Sequence, residues 1–196
     1  GHACFKIQSS DVTIAIDPYS KEIGLTPPRF QASIVLVTHD HFDHNNASSL
    51  AGDPFIITGA GEYEMRGAYV QGIPTYHAAV EGKERGMNTV YTINVEGIRI
   101  AHLGDFGETE LRSETLEKLG NVNILMVPVG GTYTIDARTA ARVIKQVESR
   151  FVIPMHYKIP GIKANLASVD QFLKEMGSSK TQPQDKLTVK KKDFEG

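Results

Sequence analysis

An apolar run, Ser33-Ile34-Val35-Leu36-Val37, is followed across Thr38 by His39-Asp40-His41-Phe42-Asp43-His44. The run has the length and β-branched content of a buried strand. A fold for this chain must therefore end a core strand in a turn crowded with imidazoles and carboxylates. Those are the groups that borderline divalent metals take. A polar loop with surface histidines is the plain alternative. With histidine at roughly one residue in forty to fifty in ordinary proteins, three within six residues argue against it.

Other histidines and acids fall in comparable places. His77 closes the apolar run over residues 70–76, Asp105 follows residues 98–103 across Gly104, and His156 follows Phe151-Val152-Ile153-Pro154-Met155. Four strands thus deliver candidate ligands at their C-terminal ends, where α/β folds gather binding groups. In an extended segment His39 and His41 point the same way and can hold one ion, leaving Asp43 and His44 for a neighbour. His77 then completes the first site and His156 the second. Asp105 bridges two cations roughly 3.5–4 Å apart. Each of these has a structural alternative, since a strand-end histidine is often a hydrogen-bonded scaffold group and Asp105 could stabilise a turn. His102, inside its strand, reads as core or as support for a ligand. His2 could face the site but is not counted as a ligand, and Cys4 reads as a small core residue.

Gly, Pro, Asn and Asp punctuate the first half into short strands over residues 3–7, 12–16, 33–37, 54–58, 68–76, 89–95 and 98–102. Glu96-Gly97 has the composition of a hairpin turn. Residues 18–29, with Pro27-Pro28, form a connection too proline-rich for a core element. The second half alternates. A helix over 108–119 with Gly120 as its C-cap is followed by a strand over 122–129 and a helix over 137–148, capped by Asp136. A strand over 151–154 and a helix over 168–176 complete a layered α/β pattern with two central sheets.

The 196 residues fit one domain, 1–196, able to bury a core without disulfides. With Lys+Arg 21 against Asp+Glu 23, the formal charge of −2 offers no basic field for nucleic acid. Lys190-Lys191-Lys192 reads as a solvated edge or tail. No run is long and apolar enough to span a bilayer, so no membrane partner is expected. The single Cys4 fits a reducing, cytoplasmic setting.

At this point the residues resemble the metallo-β-lactamase superfamily. Its H-x-H-x-D-H pattern is matched by His39, His41, Asp43 and His44, and its later single His, Asp and His by His77, Asp105 and His156. Gly1-His2-Ala3, residues 38–45, residues 102–107, residues 128–136 and Pro154-Met155-His156-Tyr157-Lys158 are similar to a compact branch of prokaryotic zinc-dependent hydrolases related to the ascorbate-6-phosphate lactonase group. The resemblance implies a four-layer αβ/βα sandwich with two central mixed β-sheets and a dinuclear site on their upper edge. It also implies that an N-terminal strand preceding Gly1 is missing. Relatives often carry an acid directly after the histidine at the place of His77. Here Ala78 stands there, which touches the support of the ligand rather than the ligand itself. His41 occupies the place where oxygen-reducing di-iron members carry glutamate, which points away from oxygen reduction.

The expected chemistry is hydrolysis by a metal-bridging water, with Zn2+ the best match to the imidazole-rich set and Mn2+ or Fe2+ compatible with it. Asp43 and Asp105 are the acids expected at the reaction centre, Asp105 orienting the nucleophile. The expected substrate is a small, anionic molecule such as a lactone, phosphoester or other ester or amide. Arg85, in the segment 81–88 with Lys83 and Gly86, and Tyr157 and Lys158, beside His156, are the candidate contacts. Gly130-Gly131-Thr132-Tyr133 could approach substrate through its backbone or simply turn the chain. A non-catalytic metabolite-sensing domain could use the same ligands, and turnover on an ester panel separates the two. A nucleic-acid phosphodiesterase is the weaker third reading, separable by salt-dependent binding. Homo-oligomerisation stays open.

Overall fold

The strands form wherever apolar runs alternate with turn residues, and the computed structural model, which describes residues 1–77 and 86–195, gathers them into two mixed sheets. The smaller sheet has the order β1 (Phe5–Gln8), β2 (Thr13–Ile16), β3 (Ile34–Leu36), β4 (Phe55–Ile57). The larger runs β10 (Phe151–Met155), β9 (Ile124–Pro128), β8 (Ile98–His102), β7 (Met87–Val95), β6 (Ala68–Tyr76), β5 (Gly61–Met65). Three helices, α1 (Ser113–Leu119), α2 (Ala137–Val147) and α3 (Val169–Glu175), lie in the second half of the chain.

The period-two alternation of the strands sorts side chains between two cores. Ile14, Ile16, Ile34 and Leu36 of the small sheet meet Val70, Tyr91, Ile93, Ile100 and Met126 of the large one. The opposite face of the large sheet, with Val90, Ala101, Leu125 and Val127, packs on Leu119, Ala140, Val143, Ile144 and Phe172 of the helices. Truncating Leu36 or Ile93 to alanine in such a core costs about 2–5 kcal/mol. The outer face of the small sheet is covered more thinly, by Phe30, Ala32, Leu50 and a single 3-10 turn at Ala47–Ser49. The fourth layer of the sandwich is thin. The β3–β4 connection carries the histidine-rich turn and then only that 3-10 turn, whose residues Ala47–Ser49 are the one regular piece on this face among the described residues.

Most element boundaries fall within two residues of the sequence expectation. β5 was not expected. Gly61-Glu62-Tyr63-Glu64-Met65 carries charges at alternate positions and reads as polar, but Arg66-Gly67, both with positive φ, folds it back onto β6. Glu96-Gly97 makes the equivalent two-residue turn, as its composition predicts. Helix α1 begins at Ser113 rather than 108 because Glu108 is otherwise engaged. Its carboxylate accepts the Tyr76 N–H at 3.0 Å and pairs with Arg112 at 3.2 Å, strapping residues 108–112 onto β6. Asp136 caps α2 by accepting the Thr139 N–H at 2.8 Å. The C-terminal segment packs Val189 and Phe194 on the inter-sheet core and leaves Lys190, Lys191 and Lys192 exposed. Among the described residues no helix is long and apolar enough to cross a membrane.

Strand direction positions the site. β8, β9 and β10 are parallel, and β6 is two antiparallel steps from β8, so β6, β8 and β10 end at one edge of the large sheet. His77, Asp105 and His156 lie just beyond those ends. The small sheet is pinned to the same edge by the Thr89 N–H donating to Thr38 O at 2.8 Å and the Tyr91 hydroxyl donating to Val37 O at 2.9 Å.

Candidate metal centre

The segment that follows β3 is a turn rather than the extended stretch expected. His41 N–H donates to His39 O at 3.1 Å, and the His44 and Asn45 N–H groups both donate to His41 O. Turning the chain still brings His39 and His41 together, with ring centroids 4.5 Å apart and both rings against His77. Asp40 faces outward and accepts from Asn45 Nδ2 at 2.6 Å, the local hydrogen-bonding role.

Asp105 stands at the middle. Its Oδ2 lies 3.3 Å from His77 Nε2 and 3.8 Å from His39 Nε2, while its Oδ1 lies 3.3 Å from both His44 Nε2 and His156 Nε2. One carboxylate therefore faces two groups of imidazoles. Asp43 Oδ2 is 3.4 Å from His44 Nε2 and 3.0 Å from His2 Nε2. The seven candidate ligands nominated from sequence thus converge, and His2 joins them.

Whether such a set suits metal ions can be judged from its unsatisfied atoms. His39 Nε2, His44 Nε2, His156 Nε2 and Asp105 Oδ1 are all buried without a hydrogen-bond partner among the described residues. Orphaned buried polar atoms are costly, and several aimed at one spot mean that a missing partner belongs there. The 3.3 Å from Asp105 Oδ1 to both His44 Nε2 and His156 Nε2 is the spacing of neighbouring donors on one ion, about 3.3 Å for tetrahedral zinc with bonds of about 2.0–2.1 Å. The donors form three groups within mutual reach: His39, His41 and His77; His39, His44 and Asp105; and His2, Asp43, His44 and His156.

Asp17, which the sequence reading passed over, sets the tautomers. Fully buried at the end of β2, it accepts the His44 Nδ1–H at 2.8 Å and the Thr38 hydroxyl at 2.8 Å. The Thr38 oxygen in turn sits 2.9 Å from His39 Nδ1, so that nitrogen is the donor. In both imidazoles Nε2 is therefore the nitrogen turned to the cluster, the one left bare in the neutral form that metal binding takes. The signal was present in sequence: an aspartate directly ending an apolar strand, just as His39 does one strand later.

Burial opposes every charge here, and the neighbours decide the balance. Asp105 is held well below the usual carboxylate range because, against desolvation, His156 and His44 prevail, and the hydrogen bond from His2 and the nearby His44 lower Asp43 in the same way. Burial, then the facing His44, pushes His39 down to about 3, and burial lowers His2 and His41. His44 goes the other way: burial pulls it down, but Asp105 and Asp17 raise it well above 6.5. Ionised acids beside mostly neutral imidazoles form a donor set suited to dications.

A cleft of about 710 Å³ opens over the cluster, walled by Ile23, Phe42, Tyr133 and Ala164, with Lys163, Glu22 and Asp40 among its polar lining. The candidate substrate contacts fare differently. Arg85, with Lys83 and Ala78, lies outside the described residues. Tyr157 packs against the helix-side core and does not line the cleft. Lys158 is turned away too, its ammonium donating to Ile162 O at 2.8 Å and Ala164 O at 3.3 Å. A lysine beside a ligand in sequence thus buttresses the loop that carries Lys163. His102 is a strut. Its Nδ1 accepts the Gly104 N–H and its Nε2–H donates to Ala3 O, tying the His2 and Asp105 segments together. Gly130 admits no side chain, since a Cβ there would fall 2.0 Å from His156 O. Its loop turns the chain tightly and presents Tyr133 to the cleft. Cys4 is half-buried, and burial pushes its thiol up to about 12, which makes it inert.

Two facing mixed sheets with a His/Asp cluster on one edge define a metal-site sandwich, and the family follows from comparison. Residues 1–156 match the Beta-lactamase superfamily domain, and the chain belongs to that superfamily. Within it, the chain is 31% identical over 180 residues to a UPF0173 protein of Pyrococcus furiosus, covering 80% of each. It is 29% identical over 208 residues to a UPF0173 metal-dependent hydrolase of Thermococcus onnurineus, covering 90% of each. A Thermotoga maritima crystal structure, assigned to the zinc-dependent hydrolases of the metallo-β-lactamase superfamily, superposes with a TM-score of 0.75 at 36% identity. That match covers 89% of this chain and 81% of the other.

Proposed function

We propose that the chain is a metal-dependent hydrolase of a small anionic ester, lactone or phosphoester, with His39, His41 and His77 holding one divalent ion, Asp43, His44 and His156 a second, and Asp105 facing both. The observation that carries this reading is the set of buried, partnerless nitrogen and oxygen atoms converging from the ends of β3, β8 and β10, with His77 brought to the same carboxylate from β6. The relatives described as metal-dependent hydrolases support it. The imidazole-rich set favours zinc.

Ions held there would supply Lewis acidity and a water acidified toward neutral pH. The chain's own residues do the rest. Asp105 holds both halves of the cluster in one register and, staying ionised, orients an attacking water by accepting a hydrogen bond from it. Asp17 keeps His39 and His44 in the tautomer that presents Nε2. Phe42, Ile23 and Tyr133 shape an apolar wall that limits water around the scissile bond, and Lys163 gives the cleft a cation for an anionic substituent. A cleft of this size on a chain of net charge −2 suits a small molecule better than a polynucleotide.

The test is to count metals in the purified protein and assay it on a panel of lactones, carboxylic esters and phosphoesters before and after chelation. Two equivalents and chelator-sensitive turnover are expected. Lys163→Ala is expected to raise KM for anionic substrates by about tenfold with kcat and metal content unchanged. Two bound equivalents with tight metabolite binding and no turnover would replace the enzyme reading with the sensing one.

A further inference from the structure

We infer that His2 is itself a metal ligand, through Nε2, of the ion shared by Asp43, His44 and His156. The inference rests on the metal-site reading above and extends it by one residue. His2 is 5% exposed, and its Nε2 lies with donor atoms of Asp43, His44 and His156 in a group that all fall within 4.8 Å of one another. Two donors bound side by side to one ion sit about 3.0–3.4 Å apart when bonds are about 2.0–2.1 Å. The 3.0 Å between His2 Nε2 and Asp43 Oδ2 and the 3.4 Å between Asp43 Oδ2 and His44 Nε2 are both of that kind.

The backbone supplies an independent observation. His2 has φ 57° and His156 φ 54°, both left-handed and both costly for an L-residue. The two strained residues touch: His156 N–H donates to His2 O at 3.2 Å, and their rings stand 4.2 Å apart. The Cys4 N–H donating to Gly1 O at 3.0 Å closes the turn at His2, and the His102–Ala3 hydrogen bond of 2.9 Å fixes the segment, so both imidazoles are held at the same cluster. The donor groups then become unequal, with His2, Asp43, His44, His156 and Asp105 around one ion and His39, His41, His77 and Asp105 around the other.

Cobalt(II) binding reads this directly. The metal-free full chain is titrated with cobalt(II), following the visible d–d bands, for the wild type, His2→Ala and His2→Gln. The expected result is two equivalents in the wild type. In both variants one of the two is weakened at least about tenfold and its bands change in intensity, while the other is retained. Retention of that second equivalent shows that the variants fold. The glutamine variant separates ligation from positioning, because its amide can still donate a hydrogen bond to Asp43. Wild-type affinity and spectrum in His2→Gln would make His2 a hydrogen-bonding support and overturn the proposal, as would an unchanged His2→Ala. A wild type that binds no cobalt would instead overturn the metal-site reading together with this one.

Discussion

The two halves of the cluster are built differently. His39, His41 and His77 include one exposed imidazole, His41, on a turn that opens to the cleft. His2, Asp43, His44 and His156 are mostly buried, with His44 fully so and tied to a buried carboxylate. The contrast suggests a division of labour. The buried half is held by the scaffold whether or not substrate is present, and the open half is where a substrate oxygen can reach an ion. Rigidity and access are separated across about one carboxylate's width, and Asp105 joins them.

Removing that joint should have the largest effect. Asp105→Ala is expected to abolish binding of both ions at micromolar metal and to lower turnover by about a thousandfold or more, read by metal analysis and the ester assay. Loss of only one equivalent would show that the two halves do not share this residue. His44→Ala and His41→Ala then set the halves against each other. His44→Ala strips the buried Asp17 of its imidazole partner and leaves it only the two Thr38 donors, so besides losing one ion the protein should lose about 3 kcal/mol of stability, seen as a lowered Tm. His41→Ala should also lose one ion but leave the Tm of the metal-free protein unchanged, because His41 is exposed. Equal Tm losses would erase the distinction between the halves.

Asp17→Asn should act on both halves at once, more gently. The amide can neither accept from His44 as a carboxylate does nor hold the Thr38–His39 relay, so affinity for each ion should fall about 10–100-fold. Calorimetric titration of the two equivalents measures this. An effect confined to one ion would break the Thr38 link.

How far this was readable from sequence differs by residue. The seven ligand candidates stood out because metal chemistry restricts residue type and because each follows a strand that is visibly apolar. Asp17 was equally placed but isolated from the histidine cluster, and its role depends on β2 lying beside β3, which is a matter of sheet order. His2 required knowing that the turn after β10 folds back on the chain's first residues. β5 was hidden because an edge strand with alternating glutamates has no hydrophobic signature. Lys158 was misplaced for a related reason: adjacency to His156 in sequence says nothing about which side of the loop an ammonium takes.

The charge balance gives a pH prediction for the metal-free protein. His39 is lowered from 6.5 to about 3, so between those values the unfolded chain binds more protons and stability falls as pH drops; His2 and His41 act in the same direction. Asp17, Asp43 and Asp105, all lowered, add to the loss below 3.8. His44, raised, contributes stability that is complete below 6.5 and is lost as pH climbs through its folded-state value. The Tm of chelated protein should therefore peak near pH 6.5 and fall on both sides. A Tm that rises steadily above that pH would mean that His44 is not held protonated by the buried half.

The smallest expected effect concerns the cleft rim. Lys163 is exposed and reaches the cleft, whereas Lys158 holds the carbonyls of Ile162 and Ala164 on either side of it. The same loop is fixed by the Lys163 N–H donating to Ile23 O at 2.9 Å and by Gly24, where a Cβ would meet Gly161 O at 2.2 Å. With those contacts intact, Lys158→Ala removes one brace out of several. It should raise KM for an anionic substrate only about two- to threefold, without altering kcat or metal content, and it should do so equally for a neutral analogue. A direct contact behaves otherwise: it discriminates between the anionic and the neutral compound, as Lys163→Ala is expected to do. Comparing the two variants on a matched pair of esters decides which lysine reads charge. A larger, charge-selective loss in Lys158→Ala would restore it as the substrate contact and reduce Lys163 to a surface residue.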